Sequence, residues 1–347
     1  MTTSLAITSA GLVSGVGLSR AASCAAIRAA IDNFQETRFI DRAGEWILGC
    51  EVELQAGWRG RTKLIKMAAV AIREALQACQ SEETSEIPLL LCLPEQARPG
   101  RVIDDDNQLF LDLQNDLGME FHEKSRIIAS GHVSVALALR HANNLINQEG
   151  LRKVLIAATD SLLVTSSLAF WEQQERLLTS QNSNGFIPGE AAAALLLESP
   201  GNLQGSFLSC QGLGFGVEPA TVDSGEPMKA DGLAAAIKES VSDAGIEMSD
   251  LDFRITDLSG EQYYFKEASL ALARTLKSPK PEFDIWHPAD CIGEVGAASG
   301  AVMLAVIKTA CEKAYSKGDK ILAHMGNDDG KRSSLICVWH GEAARNG

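Results

Sequence analysis

The chain has 347 residues, 46% of them hydrophobic, and its 45 acidic and 31 basic side chains give a formal net charge of −14. A chain of this length can bury a large core, either as two ordinary domains or as one large α/β unit. The acidic surplus repels nucleic acid and anionic lipid, which disfavours both as partners. The N-terminus lacks a basic start before its apolar stretch and no apolar run reaches membrane length, so we expect a cytoplasmic protein without a signal peptide.

Apolar runs rich in Val, Ile and Leu alternate with segments of helical period along the whole chain. The predicted strands are residues 4–8, 47–54, 87–93, 125–129, 153–159, 190–198, 206–216, 252–258, 283–286, 320–325 and 334–340. The predicted helices are residues 21–31, 61–79, 106–117, 132–148, 165–176, 230–244, 261–276 and 297–315. This alternation indicates an α/β protein in which helices cover both faces of the strands.

The two halves of the chain have similar patterns. Each contains a glycine-rich turn from a strand into an Ala-rich helix, "ASGHVSVALAL" in the first half and "IGEVGAASGAVMLAV" in the second. Pro and Gly residues within 198–206 indicate a connecting loop between two predicted strands. We therefore predict an internal duplication, with an N-terminal half of residues 1–200 and a C-terminal half of residues 201–347.

The cysteines are distributed without a motif. Eight of them are present, at positions 24, 50, 79, 92, 210, 291, 311 and 337, and no two form a CxxC pair. Most lie within predicted strands and helices, where a thiol acts as a small hydrophobic group. This distribution indicates a reducing compartment.

Several motifs resemble those of the β-ketoacyl synthases of the thiolase superfamily. "SNGFIPGEAAAALLLES" at 183–199 is similar to the family segment GFxxGEGAAxLxLE, and "IGEVGAASGAVMLAVIKTA" at 292–310 is similar to its GHTxGAAGAxE turn and helix. Residues 5–30, 230–253 and 324–342 resemble its first strand and helix, the segment before its first catalytic histidine, and its closing hairpin. The resemblance implies a thiolase fold, in which two βαβαβ-type halves form a five-layer αβαβα sandwich, commonly as a homodimer.

The same resemblance implies that the condensing chemistry is lost. The family uses a cysteine thiolate at a helix N-terminus and two histidines that assist decarboxylation and hold the oxyanion. The corresponding turn, residues 129–133, reads Ala-Ser-Gly-His-Val and has no cysteine. Alignment of the helix places Ser130 at the nucleophile position, whereas counting from the following strand places His132 or Val133 there. The two histidine positions fall on Asp257 and Gly293.

Three residues at or beside the family's catalytic positions have alternative interpretations. Ser130 could be a substitute nucleophile with His132 as its base, or it could be the N-cap of the predicted helix. The cap is favoured because residues two apart on a helix do not face each other. His132 could be a lone base or ligand, or a histidine packed in a former substrate tunnel. Asp257 could form an acid/base pair with His132 or His287, or simply cap a helix or meet a basic side chain.

Two further clusters have weaker signals. His287, Asp290, Cys291 and Glu294 suggest metal ligands, but their spacing matches no standard ligand pattern, so we expect neither a metal nor a cofactor.

The second cluster is basic. Arg59, Arg61, Lys63 and Lys66 surround a predicted helix start and could dock an acidic partner such as acyl carrier protein, or could form a solvated helix face.

The sequence therefore predicts a catalytically degenerate protein that acts by binding another protein. Only about thirty residues, 94–125, stand where the family carries a long excursion that builds the acyl pocket and dimer contact, so we expect both to be reduced or altered. "HPADCIGEVGAASG" also resembles thiolase-like proteins encoded near type VI secretion effectors, which suggests an adaptor role. The alternatives are an acyltransferase or hydrolase using Ser130, and a non-catalytic partner subunit of a ketosynthase, as chain length factors are.

Overall fold

The computed structural model describes residues 4–55, 57–79 and 83–341. The strands are β1 (Leu5–Ser14), β2 (Gln35–Ile40), β3 (Trp46–Gly49), β4 (Leu89–Leu93), β5 (Arg126–Ala129), β6 (Lys153–Ser161), β7 (Glu190–Glu198), β8 (Phe207–Val217), β9 (Phe253–Thr256), β10 (Ile285–Trp286), β11 (Lys320–Gly326) and β12 (Lys331–His340). The helices are α1 (Arg20–Arg28), α2 (Gly60–Leu76), α3 (Asp106–Leu117), α4 (Ser134–Asn147), α5 (Thr165–Gln173), α6 (Asp231–Ala244), α7 (Gln262–Thr275), α8 (Ala289–Ile292) and α9 (Ser299–Glu312).

The large sheet is built from two sets of five strands with the same neighbour order. From its outer edge inward the first set runs β5-β4-β6-β7-β1, and the second runs β10-β9-β11-β12-β8. In each set the outer three strands are parallel and the inner two are added antiparallel. The sets meet where residues 5–7 of β1 pair with residues 208–210 of β8. The predicted α/β fold class is confirmed.

Helices lie on both faces of each set of strands. The central helices α4 and α9 share one apolar core with the strands of both sets. The outer helix α2 packs on β1, β6 and β7, and α6 packs on β8 and β12. This arrangement gives the helix–strand–helix–strand–helix layering, and it brings the N-termini of α4 and α9 together at the centre of the molecule.

Glycines allow the outer helices to approach the innermost strands. A Cβ on Gly11 of β1 would lie 2.0 Å from the carbonyl oxygen of Ala71 in α2, and one on Gly214 of β8 would lie 1.9 Å from that of Ala236 in α6. Any larger residue at these positions would push the helix away from the sheet. The same device therefore seats the outer helix in both halves.

Some element boundaries differ from the sequence predictions. The predicted strand 47–54 ends at Gly49 and is the second strand of a separate hairpin, β2–β3, whose first strand was not predicted. The predicted helix 132–148 begins as a 3₁₀ turn at 131–133 and becomes α-helical only at Ser134. The short helix α8 was also not predicted. No helix in the described ranges is long and apolar enough to cross a membrane.

Candidate functional site

Two elbows, each leading into a central helix, face each other at the centre of the fold. The first elbow is residues 130–134, ahead of α4, and the second elbow is residues 295–299, ahead of α9. Each has a left-handed glycine at its second position, Gly131 with φ 59° and Gly296 with φ 53°. In each, a 3₁₀ turn then leads into the central helix. The two elbows are therefore conformationally equivalent.

The predicted N-cap role of Ser130 is wrong. Its side chain makes no capping hydrogen bond, and it lines a shallow groove beside β5 and α4. Ser134 supplies the polar contacts instead: its hydroxyl accepts from the Ser130 N–H at 2.9 Å and donates to the Ile128 carbonyl at 3.0 Å. The 3₁₀ turn moves the helix start by two residues, which puts Ser134 at the junction of strand and helix.

Asn327, at the end of β11, holds the first elbow from the other half of the chain. Its Nδ2 donates to the Ser130 carbonyl at 2.9 Å, and its Oδ1 accepts from the Val133 N–H at 3.3 Å. The side chain is completely buried. An amide supplies both a donor and an acceptor, so it satisfies the two backbone groups of the elbow that turn inward.

His132 is bound to a carboxylate. Its Nε2 lies 2.8 Å from Oε1 of Glu294. Burial would lower the pKa of His132, but Glu294, with Asp257 and Glu95 further off, raises it to about 10. At neutral pH the ring is therefore a cation, with no free lone pair for general-base catalysis. Since Ser130 lines a different groove, the predicted pair of Ser130 nucleophile and His132 base is not assembled.

Glu294 connects the two elbows. Its Oε1 accepts from His132 of the first elbow and also from the Gly296 N–H of the second elbow at 2.8 Å. Burial would raise the pKa of Glu294, but charged His132, the Ser259 hydroxyl and the Gly296 N–H lower it. The sequence suggested Glu294 as part of a metal cluster, whereas in the structure its carboxylate pairs with His132.

Asp257 is near His132 but does not hydrogen-bond to it. Its Oδ2 accepts from the Gly326 N–H at 2.9 Å. Burial raises the pKa of Asp257 to about 6, although the His132 charge and the Gly326 N–H act in the opposite direction. His287 is engaged elsewhere, 2.6 Å from the Asp290 carboxylate. The predicted pairing of Asp257 with His132 or His287 is therefore wrong: its hydrogen-bond partner is a backbone N–H.

Gly293 contributes backbone geometry only. Its φ is 70°, and a Cβ there would lie 2.6 Å from the carbonyl oxygen of Ile187. A histidine at this position would be strained and would collide with the backbone. No donor for an oxyanion can be built here without moving the chain.

Ion pairs close the space around His132. The Arg176 guanidinium donates from Nε and Nη2 to both oxygens of Glu261, at 2.6 and 2.8 Å, and from Nη1 to Asp328 at 2.9 Å. The Arg176 and Glu261 side chains are less than one-tenth exposed. The cavity left beside His132 has a volume of about 50 Å³. That is well below the volume of an ordinary ligand pocket.

A second ion pair lies under the elbows. Asp160, which is fully buried, pairs with Arg98 and accepts from the Ala297 N–H at 2.9 Å. Glu95 lies directly against Gly131, because a Cβ there would be 2.2 Å from its Oε1. Both elbows therefore have a carboxylate packed on their left-handed glycine.

The other residues of the possible metal cluster do not converge on Glu294. The Cys291 thiol is buried, and burial raises its pKa to about 11. Within the described ranges, no group of three or more His, Cys, Asp or Glu side chains is arranged to hold a metal ion.

The four residues of the predicted basic docking patch have different surroundings in the structure. Lys63 is buried and pairs with Glu190 of β7. Arg61 and Lys66 pair with aspartates of α3. Only Arg59 is exposed without an acidic partner in the described part of the chain. Arg59 directly precedes α2, and the other three residues lie on α2 and pair with carboxylates of neighbouring elements.

Sequence reasoning missed most of the network. Asn327 and Asp328 lie in "GNDDG", directly after a strand, and this position at the end of a parallel strand is a signal that could have been used. Arg176 had no comparable signal, because its partners are far apart in the sequence.

No family model matches the chain, and no curated protein matches it. Solved structures match over almost its full length. The ishigamide ketosynthase/chain length factor superposes with a TM-score of 0.81 at 16% identity, covering 98% of this chain and 100% of that chain. A ketosynthase in complex with its chain length factor from Xenorhabdus doucetiae gives 0.70 at 12% identity, covering 97% and 98%. A β-ketoacyl synthase from Burkholderia phymatum STM815 gives 0.71 at 15% identity, covering 97% and 99%.

These likenesses define the fold. The chain has the thiolase fold of ketosynthases and chain length factors, as the motifs predicted. At such low identity, the likeness concerns architecture, and the function has to be argued from the side chains.

Proposed function

We propose that this chain is a non-catalytic partner subunit of a ketosynthase, acting as a chain length factor does. One observation carries the proposal: the first elbow has no thiol, and its only ionisable side chain, His132, is a cation held on Glu294. The cavity beside it has a volume of about 50 Å³ and is walled by ion pairs, so an acyl thioester has no room there. Among solved structures of similar fold is a ketosynthase in complex with its chain length factor.

The edge of the sheet supports a protein partner. β5 is the outer strand of its set, so one side of its backbone is unpaired. Ile127 and Ile128 of this strand are only half-buried and line a groove with Arg140 and His141 of α4. We propose that a ketosynthase subunit adds a strand to this edge and covers the two isoleucines.

The proposal includes an internal duplication of the chain. We infer that residues 1–200 and 201–347 are duplicated halves. The equal strand order and the two matching elbows support this. In an active subunit the first elbow would carry the nucleophile. Here it links the two halves instead, through the contact of His132 with Glu294.

Two other roles have less support. An acyltransferase or hydrolase using Ser130 needs a base beside that hydroxyl, whereas Ser130 and His132 line different cavities. A type VI secretion adaptor role depends on a sequence resemblance alone, whereas the ketosynthase partner has a candidate edge strand.

The catalytic half of the proposal is tested with acyl-CoA and acyl-carrier thioesters, followed by intact-mass spectrometry. We expect no adduct. An acyl adduct that disappears in Ser130→Ala would overturn the proposal in favour of an acyltransferase.

The partner half is tested by purifying the complex from the native cell and rebuilding it from separately purified subunits. We expect a ketosynthase to form a stoichiometric complex that Ile128→Lys weakens at least tenfold, because a charge would be buried at the strand edge. Val217→Lys, at an exposed residue of β8, is the matched control and should bind normally. Thermal unfolding establishes that both variants are folded. Equal binding by the wild type and Ile128→Lys would refute the proposal that the partner docks on the edge strand β5.

A further inference from the structure

A separate cavity outside the elbow region is lined by Trp286. This Trp286 cavity lies between the end of α1, the segment from β10 to α8, and the end of α9, and has a volume of about 410 Å³. Its volume is in the range of small-molecule pockets and about eight times that of the cavity beside His132. Neither the ion-pair network nor the proposed docking edge uses it.

The walls are apolar and aromatic. Trp286 and Tyr315 line the cavity, with Ile27, Ile285 and Val306. Trp286 is fixed from behind by Phe253, with the ring centroids 4.5 Å apart. Two half-buried rings on a rigid backing offer flat faces on which a planar ligand can stack.

The lip of the cavity carries a positioned cation. The Arg28 guanidinium stacks over the Tyr315 ring, 4.4 Å from its centroid. Arg28 has no acidic partner within ion-pair distance in the described part of the chain. On the other side, Oδ2 of the exposed Asp290 side chain lies 2.6 Å from Nδ1 of His287. A ligand that lies against the Tyr315 side of the cavity therefore meets the positive charge of Arg28.

The geometry points to a binding site for a small aromatic carboxylate. The aromatic ring lies between Trp286 and Tyr315, and the carboxylate accepts hydrogen bonds from Arg28, whose planar guanidinium suits bidentate recognition. This site is separate from the elbows, and its occupancy does not depend on the ketosynthase partner proposed above.

The test is calorimetric titration of the full chain with 2-naphthoate and with its neutral counterpart 2-naphthamide. We expect saturable one-to-one binding of 2-naphthoate and about tenfold weaker binding of the amide, the difference typical of a charge-assisted contact. Arg28→Gln should weaken 2-naphthoate by about the same factor and leave the amide unchanged. Arg38→Gln is the matched control, since Arg38 is also exposed and stacked over a ring, that of Phe39, at 4.8 Å.

A second variant tests the location. Ile27→Trp, on the outer helix α1, should fill the cavity and abolish binding of both ligands, and thermal unfolding shows whether it is folded. Failure of 2-naphthoate to bind at millimolar concentration would overturn the proposal. Binding that is equal for acid and amide, or unchanged in both Arg28→Gln and folded Ile27→Trp, would also overturn it.

Discussion

The two elbows have the same backbone and different caps. In the second elbow, the N–H groups of Gly296 and Ala297 donate to the carboxylates of Glu294 and Asp160. In the first elbow, the Val133 N–H donates to the neutral amide of Asn327. Carboxylates suit the positive end of a helix, so the second elbow is the more tightly held of the two. The first elbow retains the shape of a nucleophile site, but its one charged side chain, His132, pairs with Glu294, which also accepts from the second elbow.

Glu294 contacts both elbows, so its removal should have the largest effect on the link between them. Glu294→Ala leaves the His132 imidazolium and the Gly296 N–H without their acceptor, and we expect a loss of about 4 kcal/mol of unfolding free energy, the cost of breaking a buried pair. Denaturant unfolding at neutral pH measures it.

The matched control for Glu294 is a surface pair. Asp231→Ala removes an ion pair with Arg274 whose side chains are 46% and 41% exposed, and should cost about 0.5 kcal/mol or less. If Glu294→Ala costs no more than this control, then the link between the elbows does not stabilise the fold.

The left-handed glycines of the two elbows differ in how closely a carboxylate confines them. An alanine Cβ at position 296 would lie 2.1 Å from Oδ2 of Asp160, and one at position 131 would lie 2.2 Å from Oε1 of Glu95. Asp160 is fully buried, whereas Glu95 is only half-buried, so we expect the Glu95 side chain to yield more easily to an added methyl group. We expect Gly296→Ala to cost about 3 kcal/mol and Gly131→Ala about 1 to 2 kcal/mol, the latter mostly backbone strain. Equal losses would show that Glu95 is as rigid as Asp160.

The fold was predictable because its signals are local and repeated. Strand and helix periods recur in each half, and the motif at 183–199 contains the whole of β7. The β2–β3 hairpin was missed because its outer face is apolar: Ile40, Trp46 and Leu48 are exposed, which obscures the usual alternation.

The site was less predictable because its contacts cross the two halves. Sequence reasoning found the elbow, His132 and Asp257, and also identified the absence of the thiol. It placed Glu294 in the wrong cluster and gave Ser130 a cap that Ser134 and Asn327 provide. These partners are separated by up to 197 positions along the chain, so no local pattern reveals them.

The charge on His132 predicts an alkaline loss of stability. Its pKa is about 10 in the folded chain and about 6.5 when unfolded, so its contribution is complete below about pH 6.5 and disappears as the pH rises toward 10. The expected loss is about 2 kcal/mol, since the ring is partly exposed. Unfolding of the wild type and His132→Gln at pH 7 and pH 10 measures it. Parallel pH dependence in the two proteins would mean that the first elbow carries no such charge.

Asp257 should behave in the opposite way, because its carboxylate is buried without an ion-pair partner in hydrogen-bond contact. Its folded pKa of about 6 exceeds the unfolded value of about 4, so the folded chain binds more protons between these values and stability falls as the pH rises through them. Asn at this position keeps an acceptor for the Gly326 N–H and removes the charge. Asp257→Asn should therefore be about 1 kcal/mol more stable than the wild type at pH 7 and equal to it near pH 4. A variant that is less stable at pH 7 would show that the attraction between Asp257 and His132 outweighs the cost of burying the carboxylate. The charges at the first elbow would then balance each other, as those at the second elbow do.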